Sequence, residues 1–221
     1  MVDFRKKLNQ NKGYDVFEEK EKKIEKERSN NVYRFWLPPE NGAKIVFLDD
    51  NPPIIEEHQL KIAGSWKNWF TCLRTVGEAC PICDVMNDNP STVGFYTIID
   101  TSEWKDSRGN VHKNEIKLLP AKYNSLKMLR RYSKKHGGLQ NKVFDVYRTN
   151  SDAYNIGDVY DFEAELTDNQ IKELNEEAAP VDYAEVLAPK SPAELKEIIQ
   201  GKSGGGQSFE DYEDDDFDVN Y

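Results

Sequence analysis

Apolar and polar residues alternate with a two-residue period in eight runs: 32–37, 44–48, 54–63, 66–73, 94–100, 115–121, 142–149 and 159–166. Each run is rich in β-branched and aromatic side chains, which suit a pleated, half-buried surface, so each predicts a strand. Turn chemistry separates them. Pro38-Pro39-Glu40-Asn41-Gly42, Asp49-Asp50-Asn51-Pro52-Pro53, Ala63-Gly64 and Asp106-Ser107-Arg108-Gly109-Asn110 supply the residues that a reversal needs. The period lengthens once among the strands, where Ser125 predicts an N-cap, Leu126, Leu129 and Tyr132 an apolar stripe, and Gly137-Gly138 a stop. Helical patterns also occupy 14–29, which offers only Val16, Phe17 and Ile24 for burial, and the acidic stretches 168–177 and 192–200. A Ser191-Pro192-Ala193-Glu194 capping box opens the last of these. Short strands with one helix between later ones predict a mainly β fold, a small closed or partly closed barrel without long free edges.

Length limits what else is present. A chain of 221 residues has room for one core of about 100 to 150 residues plus accessory segments. The expected organisation is a charged arm or helix over 1–30, the barrel core over 31–166, an acidic helical segment over 167–200, a Gly-rich linker over 201–208 and an acidic-aromatic tail over 209–221. No run approaches the roughly 18 apolar residues of a membrane span, and the first residues lack a signal-peptide apolar segment, so a soluble, cytoplasmic protein is expected.

Charge changes the picture because it is unevenly placed. The net charge of −10 resolves into −1 over 1–59, +7 over 60–150, −10 over 151–200 and −6 over 201–221. A cationic centre followed by an anionic quarter predicts a polyanion site on the core and a tail able to compete for it.

Three cysteines argue against a disulfide framework, and two of them form Cys80-Pro81-Ile82-Cys83, a metal-knuckle spacing. With His58 and Cys72 they make the series His58-x13-Cys72-x7-Cys80-x2-Cys83, a four-ligand set on two strands and a knuckle. Four protein ligands leave no open position, so the expected ion is one structural zinc, within a subdomain over about 58–90. His112 and His136 are rival fourth ligands, the first beyond a hairpin turn and the second at a basic helix end. The competing readings are a Cys80/Cys83 redox pair, which would open a helix within a βαβ pattern that the sequence does not show, or three ordinary buried cysteines.

Binding to unpaired nucleic acid needs cations along phosphates and rings on which bases stack. Strand alternation puts Arg34 and Trp36 on one face opposite Tyr33, Phe35 and Leu37, and Lys67 with Trp69 opposite Trp66, Phe70 and Cys72. Lys61, Tyr96, Lys105, Arg108, Lys113, Lys117 and Lys122 are further candidates, and Lys127, Arg130, Arg131 and Lys134 make the helix a basic wall. Each has a plainer reading as core ring or solvated charge. In the tail, Phe209, Tyr212, Asp214, Asp215, Asp216, Phe217 and Tyr221 mix rings with carboxylates, a pattern able to occupy a cationic groove or recruit a partner. No helix-turn-helix, basic zipper or repeated finger predicts base-specific readout.

The His58, Cys72, Cys80, Cys83 order, the segment 64–72 and the acidic tail resemble bacteriophage single-stranded DNA-binding proteins related to the helix-destabilising protein of T-even phages. The resemblance covers about 31–165 and 209–221. It implies an OB barrel with a zinc subdomain, no enzymatic reaction, and stoichiometric coating of single strands in phage DNA replication, recombination and repair within the infected host's cytoplasm. It also implies that the tail docks replication and recombination proteins such as a polymerase, primase-helicase or loader. Arg5-Lys6-Lys7 resembles the basic half of the family's cooperativity motif, the possible basis of self-association on DNA, although Leu8-Asn9 follows where hydroxyl residues are expected. The alternative is a zinc-containing protein–protein adaptor in phage transcription or replication.

Overall fold

The computed structural model describes residues 14, 16–18, 32–62, 64–105, 109–150 and 156–201. The chain divides into two units, Met1–Val32 and Tyr33–Tyr221. In the first, residues 14 and 16–18 are helical, and Tyr14 and Phe17 are exposed. The rest of the predicted arm, Arg108, linker residues 202–208 and the tail with its predicted partner contacts lie outside the described residues.

The second unit contains strands β1 (Tyr33–Arg34), β2 (Gly42–Phe47), β3 (Ile54–Ile62), β4 (Ser65–Thr71), β5 (Ser91–Asp100), β6 (Trp104–Lys105), β7 (Val111–His112), β8 (Glu115–Lys122), β9 (Lys142–Tyr147) and β10 (Val159–Glu165). Its helices are α1 (Pro81–Met86), α2 (Tyr123–His136), α3 (Asp168–Leu174), α4 (Tyr183–Val186) and α5 (Pro192–Ile199). All eight runs of alternating residues contain strands. The main path is β1-β8-β5-β2-β9-β10, mixed because β1 joins β8 in parallel while the other pairs are antiparallel. β5 organises the sheet: one edge pairs along its length with β8, and the other is shared between β3 at Ser91–Gly94 and β2 at Ile98–Asp100. β3 continues past β5 and turns back as the hairpin β3–β4.

Among the described residues the ladder does not close, so the fold is a mainly β mixed sheet with an open edge at β10. That edge strand exposes Asp161, Glu163 and Glu165, charges that disfavour further pairing. The core beneath the sheet is aromatic. Phe47 meets Tyr96 and Phe144 edge-on, at centroid distances of 5.3 and 5.5 Å. Leu129 of α2 is buried in this cluster, and the helix crosses β5 so closely at Gly94 that a Cβ there would run into the Leu126 side chain.

Several boundaries differ from expectation for identifiable reasons. Ser125 is not an N-cap: α2 starts two residues earlier, after Lys122, and the buried Ser125 hydroxyl donates to the Gly157 carbonyl at 3.3 Å. The acidic segment over 167–200 is not an appendage. Ile171 packs with Val46, Leu48 and Ile99, and Leu195 and Ile198 pack with Phe70, Leu73 and Ile82. Between these anchors, the Tyr183 hydroxyl bonds to Asp49 and lies 2.8 Å from the Thr97 hydroxyl. Few apolar residues are needed when each is fully inserted, which is why an acidic composition concealed the packing. No helix among the described residues is long and apolar enough to cross a membrane.

Candidate metal centre and adjoining cleft

His58 lies in β3, Cys72 follows β4, and Cys80 and Cys83 flank the first turn of α1. Pairing of β3 with β4 sets His58 opposite Phe70, two residues before Cys72. Pro81 occupies the first helical position with its φ already suited to it, and so starts α1 immediately after Cys80. That turn lets the backbone amides of Cys83 and Ile82, joined by that of Leu73, point at the Cys80 sulfur.

The four side chains converge, all buried, with ligand atoms within 4.8 Å of one another. His58 Nε2 is 3.5 Å from Cys80 Sγ and 3.4 Å from Cys83 Sγ, and Cys72 Sγ is 3.6 Å from Cys83 Sγ. A tetrahedral zinc-sized ion, with metal–sulfur bonds of about 2.3 Å and a metal–nitrogen bond of about 2.0 Å, requires edges of about 3.5 to 3.8 Å. The three contacts of 3.4, 3.5 and 3.6 Å match edges of a four-coordinate site, and the remaining separations lie within 4.8 Å. His58 Nδ1 is 2.6 Å from Asp88 Oδ2. That contact holds the proton on Nδ1 and turns the Nε2 lone pair toward the thiols.

Electrostatics agree with a cation. Burial pushes the Cys80 thiol up, but the amides aimed at it prevail and bring it down to about 7. Burial and then the neighbouring sulfurs push Cys83 up to about 12, and burial raises Cys72. For all three to be thiolates at these separations, a positive ion must lie among them. His58, Cys72, Cys80 and Cys83 can thus hold one metal ion.

The expected absence of a helix at the cysteine pair is corrected, since α1 begins there. Its setting nevertheless differs from an isolated redox pair's, because His58 and Cys72 complete a four-residue cluster around it. The rival histidines are engaged elsewhere: His112 stacks on Trp104 with centroids 4.2 Å apart, and His136 stacks on Phe162 at 4.4 Å.

Two pockets adjoin the centre as an interrupted cleft, with Glu57 shared between its two parts. One part is lined by Arg34, Trp69, Thr71, Leu118, residues 186–188 and Lys190; the other by Gln59, Asp88, Asn89, Ser91 and Lys122.

The candidate nucleic-acid residues separate into three groups. Trp36 is 59% exposed, with the Arg148 guanidinium 4.7 Å from its ring centroid. Lys61 is exposed, 6.0 Å from the Trp66 ring, and Lys105, Lys113, Lys127, Arg130, Arg131 and Lys134 all face solvent. Trp69 is half-buried in the cleft wall, Lys122 is half-buried, and the side chain of Lys67 lies outside the described residues. Three expectations are corrected. Tyr96 is a core ring at 4% exposure and offers no face for a base, because β5 is covered on both sides. Lys117 is committed to Asp100 at 2.9 Å and Glu115 at 3.5 Å. Arg34 is committed to Glu57, with Nη1 donating to Oε2 at 3.2 Å and Nη2 to Oε1.

Asp88, Glu57, Arg148, Tyr123 and Lys190 escaped the sequence reading. Only Arg148 had a clear signal, falling in the inward register of Phe144 and Val146 within β9's run. Tyr123 is 60% exposed, with the Lys127 ammonium 4.2 Å from its ring centroid. Against known proteins, no family model, no curated protein and no solved structure matches this chain.

Proposed function

We propose that the chain binds single-stranded DNA without sequence preference. The observation that carries this reading is the pairing of exposed rings with cations: Trp36 with Arg148, Trp66 with Lys61 and Tyr123 with Lys127, each ring at least 57% exposed. Large rings are normally hidden, and these three faces match what stacking bases require, with Lys61 and Lys127 on the surface to meet phosphates while the buried Arg148 only backs the Trp36 ring. Helix α2 adds Arg130, Arg131, Lys134 and Lys135 on exposed positions and contains no carboxylate.

In this reading the sheet is the core of an OB-type barrel, the metal is zinc, and the β3–β4 hairpin with its metal forms one wall of the cleft. The protein coats single strands during phage DNA replication, recombination and repair in the host cytoplasm. The tail over 209–221 competes for the cationic surface and, once displaced, recruits replication proteins. The test is affinity against salt for an unstructured oligonucleotide, its duplex and the RNA equivalent. The log of the affinity is expected to fall with a slope of about −0.7 per phosphate neutralised, with the duplex much weaker. A flat response, or equal binding of duplex, overturns the reading.

One observation favours the adaptor alternative. Val76, Val85 and Met86 expose 53%, 68% and 47% of their surface beside the metal centre, as a protein-docking patch would. Loss of DNA binding on their replacement by polar residues is not expected under the first reading.

A further inference from the structure

We infer that the Arg34–Glu57 pair is a clamp that positions Trp69 as a base-stacking platform in the cleft, and that Arg34 itself makes no phosphate contact. This rests on the proposed single-strand binding and deepens it. The Arg34 guanidinium lies between two rings, 4.4 Å from the centroid of Trp69 and 5.1 Å from that of Phe95. Glu57 grips it through both terminal nitrogens, and the two side chains retain only 12% and 5% of their exposure. A guanidinium held in this way is already neutralised and desolvated, so a phosphate would have to displace a bidentate carboxylate to reach it.

Placement explains what the clamp achieves. Arg34 is on β1 beside β8, whereas Trp69 is on the β3–β4 hairpin, which leaves the sheet. Glu57 stands at the branch, paired with Ser91 of β5 on one side and Thr71 of β4 on the other. The guanidinium thus bridges sheet and hairpin and covers one surface of the indole. The rest of the ring lines a pocket of about 20 Å³ with Thr71, Leu187 and Lys190, room for water and not for a base, so a base would stack across its mouth. A planar cation beneath an indole fixes its plane and leaves it ready to stack without further ordering.

The experiment compares Arg34→Lys and Glu57→Gln with the native chain, using oligo(dT) over a salt series. Arg34→Lys keeps the charge but loses the planar fork. A clamp predicts that both variants bind about 5- to 150-fold more weakly, the range of one lost stacking contact, with the salt slope unchanged. Glu57→Gln discriminates most sharply. If Arg34 were a phosphate ligand, releasing it from Glu57 would tighten binding and steepen the slope by about 0.7, and that result overturns the clamp.

A second measurement stands whether or not either variant folds. In the native chain saturating oligo(dT) is expected to quench the fluorescence that Trp69 contributes, read as the difference between the native chain and Trp69→Phe. Binding without quenching overturns the clamp while leaving single-strand binding intact; no binding by the native chain overturns the function on which the clamp rests.

Discussion

Replacing Asp88 by Ala tests the metal centre without touching a ligand. His58 is fully buried and Asp88, at 2.6 Å from Nδ1, is its hydrogen-bond partner on the far side of the ring from the sulfurs. Removing the carboxylate leaves the imidazole free to place its proton on either nitrogen, and only one tautomer can bind metal. Loss of such an outer carboxylate weakens metal binding by about 10- to 100-fold, or about 1.4 to 2.7 kcal/mol. Asp88 is itself 37% exposed, so water can enter behind the ring and take over part of the hydrogen bond. That places the expected loss near the lower end, about tenfold. Asp88→Asn keeps an oxygen acceptor without the charge and is expected to fall between Ala and the native residue. Competition with a chromophoric zinc chelator measures both. Equal affinity for all three proteins would refute the assignment of Asp88, and a native chain that fails to take up one equivalent of metal would refute the centre.

Two further predictions address the supports. Leu195→Ala removes three buried carbons from the cluster around Cys72, Cys80 and Cys83, and is expected to cost about 2 to 5 kcal/mol in denaturant unfolding; a cost below about 0.5 would mean that α5 does not pack there. Burial raises the Asp49 carboxyl above 3.8, partly opposed by bonds from Tyr183 and Thr97, so the folded state holds this proton more tightly than the unfolded one. The stability it contributes is full below that value and lost as pH rises through the folded pKa. Asp49→Asn is expected to flatten that part of the stability–pH curve, and an unchanged slope would contradict the assignment.

The strands were legible because their period is local: alternation in 142–149 or 115–121 follows from which residues face the core. The metal ligands were legible because thiols and imidazole at such spacings have few other uses. The pairing of Arg34 was hidden for the complementary reason. Its partner Glu57 is 23 positions away and three strands over in the order β1-β8-β5-β3, a contact that no local pattern announces. Tyr96 was misread because β5 is buried on both faces, so alternation carries no information there. The metal-site role of α5 was hidden because its contribution is three apolar side chains, Leu195, Ile198 and Ile199, set among Glu194, Lys196 and Glu197.

The packing of α5 also bears on how the acidic tail could act. Lys190 lines the cleft, and α5 begins two residues later at Pro192, so the helix is rooted at the cleft's margin. At about 1.5 Å per residue, its eight residues carry the chain only about 12 Å away before Gly201. Residues 202–208 can span up to about 25 Å when extended, at about 3.3 to 3.6 Å each. That reach is enough for the proposed tail competition, in which Phe209 would return to the pocket beside Trp69. A tether of that length would give the tail an effective concentration in the millimolar range. Under the proposed function, deleting 209–221 is therefore expected to tighten binding of single-stranded DNA, and weaker binding after truncation would overturn the competition.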